Sequence, residues 1–381
     1  MSADDRATFP RLDVVGPNVD GTIVPGLDVV ADVVAPGATA ADAVGVPRGT
    51  LDALAAAGLL GTALEPAAQR ELAELLAGSD ASTWFCWSQH QTPLRALEAS
   101  VPSPDAPAVD ALRSRLLPGL RSGRLLAAVA FAHVRRPGPP NPVATRVPGG
   151  WRLDGSLDWV TSWDIADVVM VIAQGAGDDA GSLLTCYLPA GRAPEPAPGM
   201  VAGPPLRLLA MSGTHTRPVT LDGVVVPMSE VGALHERRAW LEQDAARTVD
   251  ASPAAFGVAR GAVAELHDLG VRRSDDQILD LAAGLAADCR RIRARAYSLA
   301  DAPDAAAHVD DRLRLRAAAL DLVARAATSV VVARAGASMR SGCSAERRLR
   351  ESMFLQVQAQ TAATRRASLE RLAAASPQRG G

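Results

Sequence analysis

The sequence contains no lysine, so all 39 basic residues other than histidine are arginines. A lysine Schiff base and a lysine general base are therefore excluded as catalytic groups. Alanine, arginine and glycine are abundant, a bias that is typical of a GC-rich genome and needs no functional explanation. The formal net charge is −3 and no block of like charges occurs, so binding to nucleic acid is not expected.

Cysteine and histidine are scarce and dispersed. Four cysteines lie without paired spacing and six histidines form no His-x-x-x-His arrangement, so neither a disulfide framework nor a metal site is predicted. The cysteines stand in apolar or helical surroundings, which predicts small buried side chains in a reduced, cytoplasmic protein. They are Cys86, Cys186, Cys289 and Cys343.

Long apolar runs are missing as well. No stretch approaches the roughly 18 apolar residues that a membrane span needs, and the acidic segment Met1 to Asp5 has no feature of a signal peptide. A soluble protein without a membrane segment is therefore expected. Its 381 residues, 48% of them apolar, are enough for a large buried core in one to three domains.

The clear strand signals are concentrated between Gly149 and Pro227. Apolar and polar residues alternate on both sides of Asp154-Gly155, a pair that predicts the turn of a β-hairpin because glycine tolerates positive φ. Three further strands are predicted at Ala166–Ala173, Leu183–Leu188 and Val219–Pro227.

Helical patterns flank this block on both sides. Before it, residues 1–45 are predicted to be irregular, and helices are predicted from Thr50, at Pro66–Leu76, at Thr83–His90 and at Pro107–Leu117, where Pro118-Gly119 ends the last one. After it, long alanine- and leucine-rich segments predict an antiparallel bundle. These segments are Glu236–Thr248, Pro253–Leu269, Ser274–Ala300, Val309–Ala337 and Ala345–Ala374.

The strand block also resembles a known family in its sequence motifs. Trp159-Val160-Thr161, then Ile165-Ala166-Asp167, then Val224-Val225-Val226-Pro227 follow in the order and spacing of the middle domain of the acyl-CoA dehydrogenase superfamily, which includes flavin-dependent monooxygenases. The resemblance implies an α+β fold with an N-terminal helical domain, a middle β-domain and a C-terminal four-helix bundle. The expected boundaries are 1–122, 123–232 and 233–376, and the implied cofactor is FAD.

The resemblance also implies which residues contact the flavin. Trp159, Val160 and Thr161 would lie beside the ring, although a buried strand residue is the simpler reading of Trp159. Phe131-Ala132-His133 would lie at the flavin edge, where Ala132 and His133 replace the family's usual threonine and glutamate, so contacts there would come from the backbone. A structural role, with the ring held by hydrogen bonds, is an equally good interpretation of His133.

Arg247 is the one implied partner for the FAD diphosphate, although an ordinary solvated arginine is an equal reading. The Arg-x-x-Phe-Gly segment that holds the diphosphate in the family is not found, and the family's Gln-x-x-Gly-Gly-x-Gly pattern is reduced to residues 332–338.

The sequence departs from the family at the catalytic base. Arg350-Glu351 matches the family's Arg-Asp pair, and the glutamate expected eight residues later falls on Ala359. Asp250 is the substitute base that we consider, although an aspartate near a helix start is commonly a cap.

Three functions remain open on the sequence alone. The first is FAD-dependent α,β-dehydrogenation of an acyl-CoA or another small molecule, with an electron-transfer flavoprotein as partner. The second is monooxygenation by reduced flavin and O₂, which needs no such base and would use His133 at the flavin edge. The third is a non-catalytic subunit that pairs with a base-bearing paralogue. A homo-oligomer, dimer or tetramer, is implied for the first two.

Overall fold

A computed structural model describes residue 24 and residues 26–61, 64–100 and 107–374. Its first helices follow a π-helical turn at Val30–Val34. The predicted irregular structure of residues 1–45 is therefore wrong where it falls on described residues, and residues 1–23 and 25 lie outside them. The helices are α1 (Ala35–Val44), α2 (Arg48–Ala56), α3 (Pro66–Ser79), α4 (Ala81–Ala99) and α5 (Pro107–Arg121).

The junction of α3 and α4 shows why these helices stop and start. Asp80 caps α4, since its buried carboxylate accepts hydrogen bonds from the amides of Ser82 and Thr83. Helix α5 does not end at Pro118, contrary to the prediction, because proline removes only one backbone donor while Leu117 and Leu120 keep the last turn buried.

An eight-stranded mixed sheet follows α5. The strand order is β6-β7-β3-β2-β4-β5-β8, and β1 adds to β4 in parallel. The short strands β2, β6 and β8 were not predicted. The strands are β1 (Ala127–Ala130), β2 (Val143–Val147), β3 (Gly150–Val160), β4 (Val168–Gly175), β5 (Ser182–Pro189), β6 (Met200–Ala202), β7 (Arg217–Pro227) and β8 (Val231–Glu236).

The predicted hairpin at Asp154-Gly155 is wrong, because β3 runs through both residues as one strand. The turn lies earlier, at Pro148-Gly149, where β2 pairs antiparallel with β3. Gly155 instead sits at a break in register between β3 and β7, with φ of +133°. An added Cβ there would meet Oδ1 of Asn141 at 2.1 Å, so glycine is needed for close approach at a bulge.

A second break in register separates Leu157 from Val160 on β3. Both of these side chains are buried in the sheet core, whereas Trp159 between them is 48% exposed. Because a bulge redirects the residues beside it, the strand end presents the indole away from the core.

The C-terminal part is helical, as predicted, but the predicted helix at Ala345–Ala374 is two helices. Gln358 to Thr361 break it, with Ala359 at φ +50°. Thr361 and Thr364 form a reciprocal cap, since the hydroxyl of each accepts the other's amide. The helices are α6 (Arg237–Arg247), α7 (Pro253–Arg273), α8 (Asp276–Ala300), α9 (Val309–Arg334), α10 (Ser344–Val357) and α11 (Ala362–Ala374).

The N-terminal and C-terminal helices share one hydrophobic core, in which α3 packs on α7. Gly257 makes this possible, because a Cβ there would lie 2.1 Å from the carbonyl oxygen of Glu74. Buried charges cross the same contact. Glu74 is 1% exposed and accepts hydrogen bonds from Arg260, Arg293 and the hydroxyl of Tyr297.

Helix α10 adds two buried arginines to this contact. Arg347 and Arg348 are only 4% and 3% exposed. They donate hydrogen bonds to the carbonyl oxygens of Ser79 and Gly78 at the end of α3. Arg347 also pairs with Glu351 one turn along α10, and Arg348 pairs with Glu265 on α7. The four cysteines are buried and unpaired.

Across the ranges that the structure describes, we find no helix with the length and hydropathy of a transmembrane segment.

Candidate functional site

A cavity of about 690 Å³ opens where α4, the ends of β1 and β3, the loop before β7 and the end of α10 meet. Such a volume lies within the range of ordinary small-molecule sites. The aromatic residues of its wall are Trp84, Phe85, Phe131, Trp159 and Phe354. Polar groups come from Ser88, Gln89, Thr92, Thr161, Thr214, Thr216 and Gln358.

The structure brings four of the sequence-predicted cofactor residues to this cavity. Phe131, Ala132, Trp159 and Thr161 all line it, and so does Ala359. Val160 does not, because it points into the sheet core and is fully buried. Cavity and indole therefore adjoin at the bulged end of β3, with the exposed face of Trp159 as part of the wall.

Three threonine hydroxyls form a chain along one side of the cavity. Oγ1 of Thr161 lies 3.1 Å from Oγ1 of Thr216, which lies 2.8 Å from Oγ1 of Thr214. Thr214 in turn donates to the carbonyl oxygen of Met211 at 2.7 Å. All three threonines are at most 5% exposed, so this chain is shielded from bulk solvent.

Left-handed backbone is concentrated around the same cavity. Met211 and Ala359 line it with φ of +64° and +50°, and Ser162 and His215 adjoin lining threonines with φ of +66° and +51°. Residues other than glycine adopt this region rarely and at an energetic cost. Strain of this kind is typical of ligand sites, where the backbone is held in an unfavourable conformation by its surroundings.

The charged side chains that line the cavity are positive. Its charged wall residues are Arg135 and Arg136, and no carboxylate stands among the described residues that line it. Arg135 donates from Nε and Nη2 to both carboxylate oxygens of Asp244 on α6, each at 2.7 Å. Its guanidinium also lies 5.0 Å from the ring centre of Phe131, which fixes the orientation of both side chains.

His133 faces away from this cavity. Its Nε2 lies 2.6 Å from the carbonyl oxygen of Ile172 on β4, so it donates there. Burial is the main cause that lowers the pKa of His133, with a further contribution from Arg136. The neutral ring therefore acts as a link between the turn after β1 and the sheet.

Asp250 and Arg247 also lie outside the cavity wall. Both carboxylate oxygens of Asp250 accept hydrogen bonds from Arg312 on α9, at 2.8 Å each. Arg247 is exposed at the C-terminal end of α6. The structure thus gives Asp250 a cationic partner and gives Arg247 no contact with the cavity.

Arg316 connects the region of Asp250 to the cavity. It is 5% exposed on α9 and donates to the carbonyl oxygens of Asp250 and Gln358, at 2.9 and 2.8 Å. Burial, and then the nearby charge of Arg135, lower the pKa of Arg316 to about 10. Gln358 lines the cavity, so this buried cation fixes part of its wall.

The two members of the Arg350-Glu351 pair have separate partners. Arg350 pairs with Asp42 and Glu346, whereas Glu351 accepts from Arg347 and from the amide of Ala81. Burial raises the pKa of Glu351. Neither residue lines the cavity, so their role in this chain is to join α10 to the N-terminal helices.

The residues around the cavity fit the tricyclic ring of a flavin. A flat aromatic ring system needs an apolar wall and a few polar groups at its edge. Trp159 and Phe131 supply aromatic surface, the threonine chain supplies hydroxyls, and the space beside the indole is open. Among the described residues, no group of three or more histidine, cysteine, aspartate or glutamate side chains could hold a metal ion.

Sequence reasoning missed several residues of the site. Thr214, Thr216 and Met211 come from a loop without strand or helix pattern, and Arg135 pairs with Asp244 across 109 residues. The sequence did carry one signal, because Thr214 and Thr216 stand two positions apart shortly before the predicted strand Val219–Pro227. Nothing local, however, indicated that this segment lies beside Thr161.

No protein-family model and no curated protein sequence matches the chain. Solved structures do match it. Butyryl-CoA dehydrogenase from Megasphaera elsdenii is 18% identical with a TM-score of 0.68, over 91% of this chain and 96% of that one. A glutaryl-CoA dehydrogenase from Mycobacterium smegmatis in complex with FADH2 is 16% identical with a TM-score of 0.71, over 92% and 93%.

A third match is a chain solved in work on the electron transferring flavoprotein of Acidaminococcus fermentans. It is 17% identical with a TM-score of 0.74, over 98% of both chains. At these identities the similarity establishes the fold. This chain has the N-terminal helical part, the middle β-domain and the C-terminal helical bundle of the acyl-CoA dehydrogenase structures.

Proposed function

We propose that this chain, which has the acyl-CoA dehydrogenase fold, is an FAD-dependent oxidoreductase that holds the flavin ring in the cavity beside Trp159. One observation carries the proposal: Phe131, Ala132, Trp159 and Thr161, selected from the sequence as flavin contacts, line one cavity of suitable size. The fold supports it, because one structural neighbour was solved with FADH2.

Each wall residue would have a separate task. Trp159 and Phe131 would hold the ring between aromatic surfaces, and Thr161 would meet its polar edge. Arg135, held by Asp244, would place positive charge close to the cofactor. FAD itself supplies the two-electron acceptor that no side chain of this protein provides.

The substrate of this proposal is an acyl thioester such as an acyl-CoA, dehydrogenated between its α and β carbons. Trp84, Phe85 and Phe354 give the cavity an apolar part suited to an acyl chain. The reaction needs a base for the α-proton. Ala359 lies at the cavity without a carboxylate, and Asp250 is occupied by Arg312.

The absence of a carboxylate from the described wall favours a second candidate, a flavin-dependent monooxygenase of the same fold. There O₂ would be the oxidant and reduced flavin the electron donor, so no carboxylate has to remove a carbon-bound proton. The same cavity and the same flavin contacts would serve. Substrate chemistry, not cofactor binding, therefore separates the two candidates.

Partners follow from the proposed reaction. A dehydrogenase needs an acceptor for the electrons it collects, and an electron-transfer flavoprotein is the partner that we propose. We also propose a homo-oligomer, dimer or tetramer, assembled through the C-terminal helices. A chain that holds flavin only beside a base-bearing paralogue would instead be the non-catalytic subunit of a hetero-oligomer.

The test begins with the visible spectrum of the purified protein, with flavin released on denaturation and quantified per chain. We expect a flavin spectrum in the wild type and its loss in Trp159→Ala. Leu234→Ala on β8 is the matched control, since the two side chains are 48% and 46% exposed. A colourless wild type that FAD cannot reconstitute overturns the proposal and points to the subunit role.

The two reactions are then separated on the flavin-loaded protein. Anaerobic bleaching of the flavin by an acyl-CoA supports dehydrogenation. Consumption of O₂ by the reduced protein, with an oxygenated product, supports monooxygenation.

A further inference from the structure

The threonine chain beside the cavity has a fixed direction. A threonine hydroxyl carries one proton and can donate only one hydrogen bond, although it can accept two. A carbonyl oxygen can only accept. The proton of Thr214 is therefore committed to the carbonyl oxygen of Met211, 2.7 Å away.

The direction of the other two bonds follows in sequence. Thr214 cannot donate twice, so the 2.8 Å contact between Thr216 and Thr214 uses the proton of Thr216. Because the hydroxyl of Thr216 already donates to Thr214, the 3.1 Å contact with Thr161 uses the proton of Thr161. All three protons point away from Thr161, whose oxygen retains lone pairs but has no proton to offer.

The backbone holds the end of this chain in place. The amide of Thr214 also donates to the carbonyl oxygen of Met211, at 3.2 Å. Met211 adopts φ of +64°, and the 3₁₀ turn Ser212–Thr214 follows it directly. The terminal acceptor is thus fixed by main-chain geometry, and each of the three threonines is at most 5% exposed.

We propose that Thr214 and Thr216 are positioning residues that make Thr161 a pure hydrogen-bond acceptor toward the cavity. The ligand group that meets Thr161 must then carry an N–H or O–H. This inference rests on the proposed function where the ligand is a flavin. Oxidised flavin presents a lone pair at N5, whereas reduced flavin carries a proton there, so the chain favours reduced over oxidised FAD.

The midpoint potential of bound FAD tests the direction of the chain. Thr161→Val removes the acceptor. The preference of the protein for reduced over oxidised flavin then falls about tenfold, which lowers the midpoint potential by about 30 mV for a two-electron couple. Thr216→Val keeps the hydroxyl of Thr161 but frees its proton to donate to oxidised flavin. The potential therefore falls further in Thr216→Val than in Thr161→Val.

The order of these two potentials distinguishes a fixed orientation of the Thr161 hydroxyl from a simple contact between Thr161 and the flavin. Thr214→Val leaves the Thr216–Thr161 pair free to point either way, so its potential lies between those of the wild type and Thr216→Val. Thr161→Ser retains the acceptor and restores the wild-type potential. Thr185→Val is the control, since Thr185 is a buried threonine of β5 whose hydroxyl has no partner. A smaller fall in Thr216→Val than in Thr161→Val overturns the proposal.

Neutron diffraction from deuterated crystals of the wild type tests the same claim without flavin. We expect the three hydroxyl deuterons between Thr161 and Thr216, between Thr216 and Thr214, and on the line to the oxygen of Met211. A deuteron of Thr161 that points into the cavity overturns the inference. If FAD fails to bind, the proposed function fails, and the deuteron positions still decide the direction of the chain.

Discussion

The buried guanidinium of Arg316 donates a 2.8 Å hydrogen bond from Nη2 to the carbonyl oxygen of Gln358, one residue before Ala359. Its Nη1 donates to the carbonyl oxygen of Asp250 at 2.9 Å. One side chain of α9 thus joins the connection between α6 and α7 to the cavity wall. The position of Ala359 therefore depends on a residue that does not itself line the cavity.

Arg316→Gln should loosen this part of the wall. Two partly buried carbonyl groups lose their guanidinium donor, which costs about 1 kcal/mol of unfolding free energy. Hydrogen exchange should accelerate in peptides that cover Met353 to Thr361. Arg314→Gln is the control, because Arg314 is exposed on the same helix and pairs with the exposed Asp311. Equal exchange in both variants would refute the role of Arg316.

His90 should make stability fall in mild acid. Its Nδ1 accepts the amide of Ala127 and its Nε2 donates to the carbonyl oxygen of Leu120, so the ring is neutral. Burial lowers its pKa to about 4. A histidine pKa lowered in the folded state contributes stability above its unfolded pKa of about 6.5, and that contribution disappears as the pH falls toward 4.

The loss attributable to His90 is about 3 kcal/mol over that interval. Urea unfolding of the wild type and of His90→Asn at several pH values measures it. The wild type should show the steeper decline between pH 6.5 and 4. A variant with the same slope would show that other groups, such as His133, cause the whole effect.

Gly257→Ala should destabilise the contact between α3 and α7. Its Cβ would lie 2.1 Å from the carbonyl oxygen of Glu74, so both helices must shift. We expect a loss of about 1–3 kcal/mol in chemical denaturation. Gly284→Ala on α8, where nothing lies within 4 Å of the added Cβ, should instead gain up to about 1 kcal/mol. Similar effects of the two variants would contradict the close approach.

Glu74→Gln should lower the free energy of unfolding more than the removal of an exposed charge does. Its carboxylate is the shared partner of Arg260 and Arg293, so neutralising it leaves two buried cations undercompensated. Removal of one partner from a buried ion pair costs about 3–5 kcal/mol. Glu242→Gln, in an exposed pair with Arg238 on α6, is the control and should leave the denaturation midpoint unchanged.

The sequence predicted the fold because the information was local. Helical periodicity and capping residues marked most helices of both flanks, and short strand motifs in a fixed order indicated the middle domain. The hairpin prediction failed for a physical reason. Glycine permits positive φ both in a turn and at a bulge, and only pairing with β7, through residues far along the chain, decides between them.

The site was predictable only in part. Trp159, Thr161 and Phe131 belong to motifs, and counting eight residues from Glu351 led to Ala359, which does line the cavity. That count placed Ala359 on a helix, whereas the chain leaves the helix there in a left-handed conformation. The partners of Thr161 and of Arg135 depend on tertiary contacts, which no spacing in the sequence encodes.

The contact of α10 with the end of α3 has a consequence for biosynthesis. The carbonyl groups of Gly78 and Ser79 receive their donors from Arg348 and Arg347, about 270 positions later in the chain. On the ribosome these oxygens must remain hydrated until α10 has been synthesised and has emerged. The C-terminal end of α3 therefore reaches its final packing only after a helix that is synthesised much later.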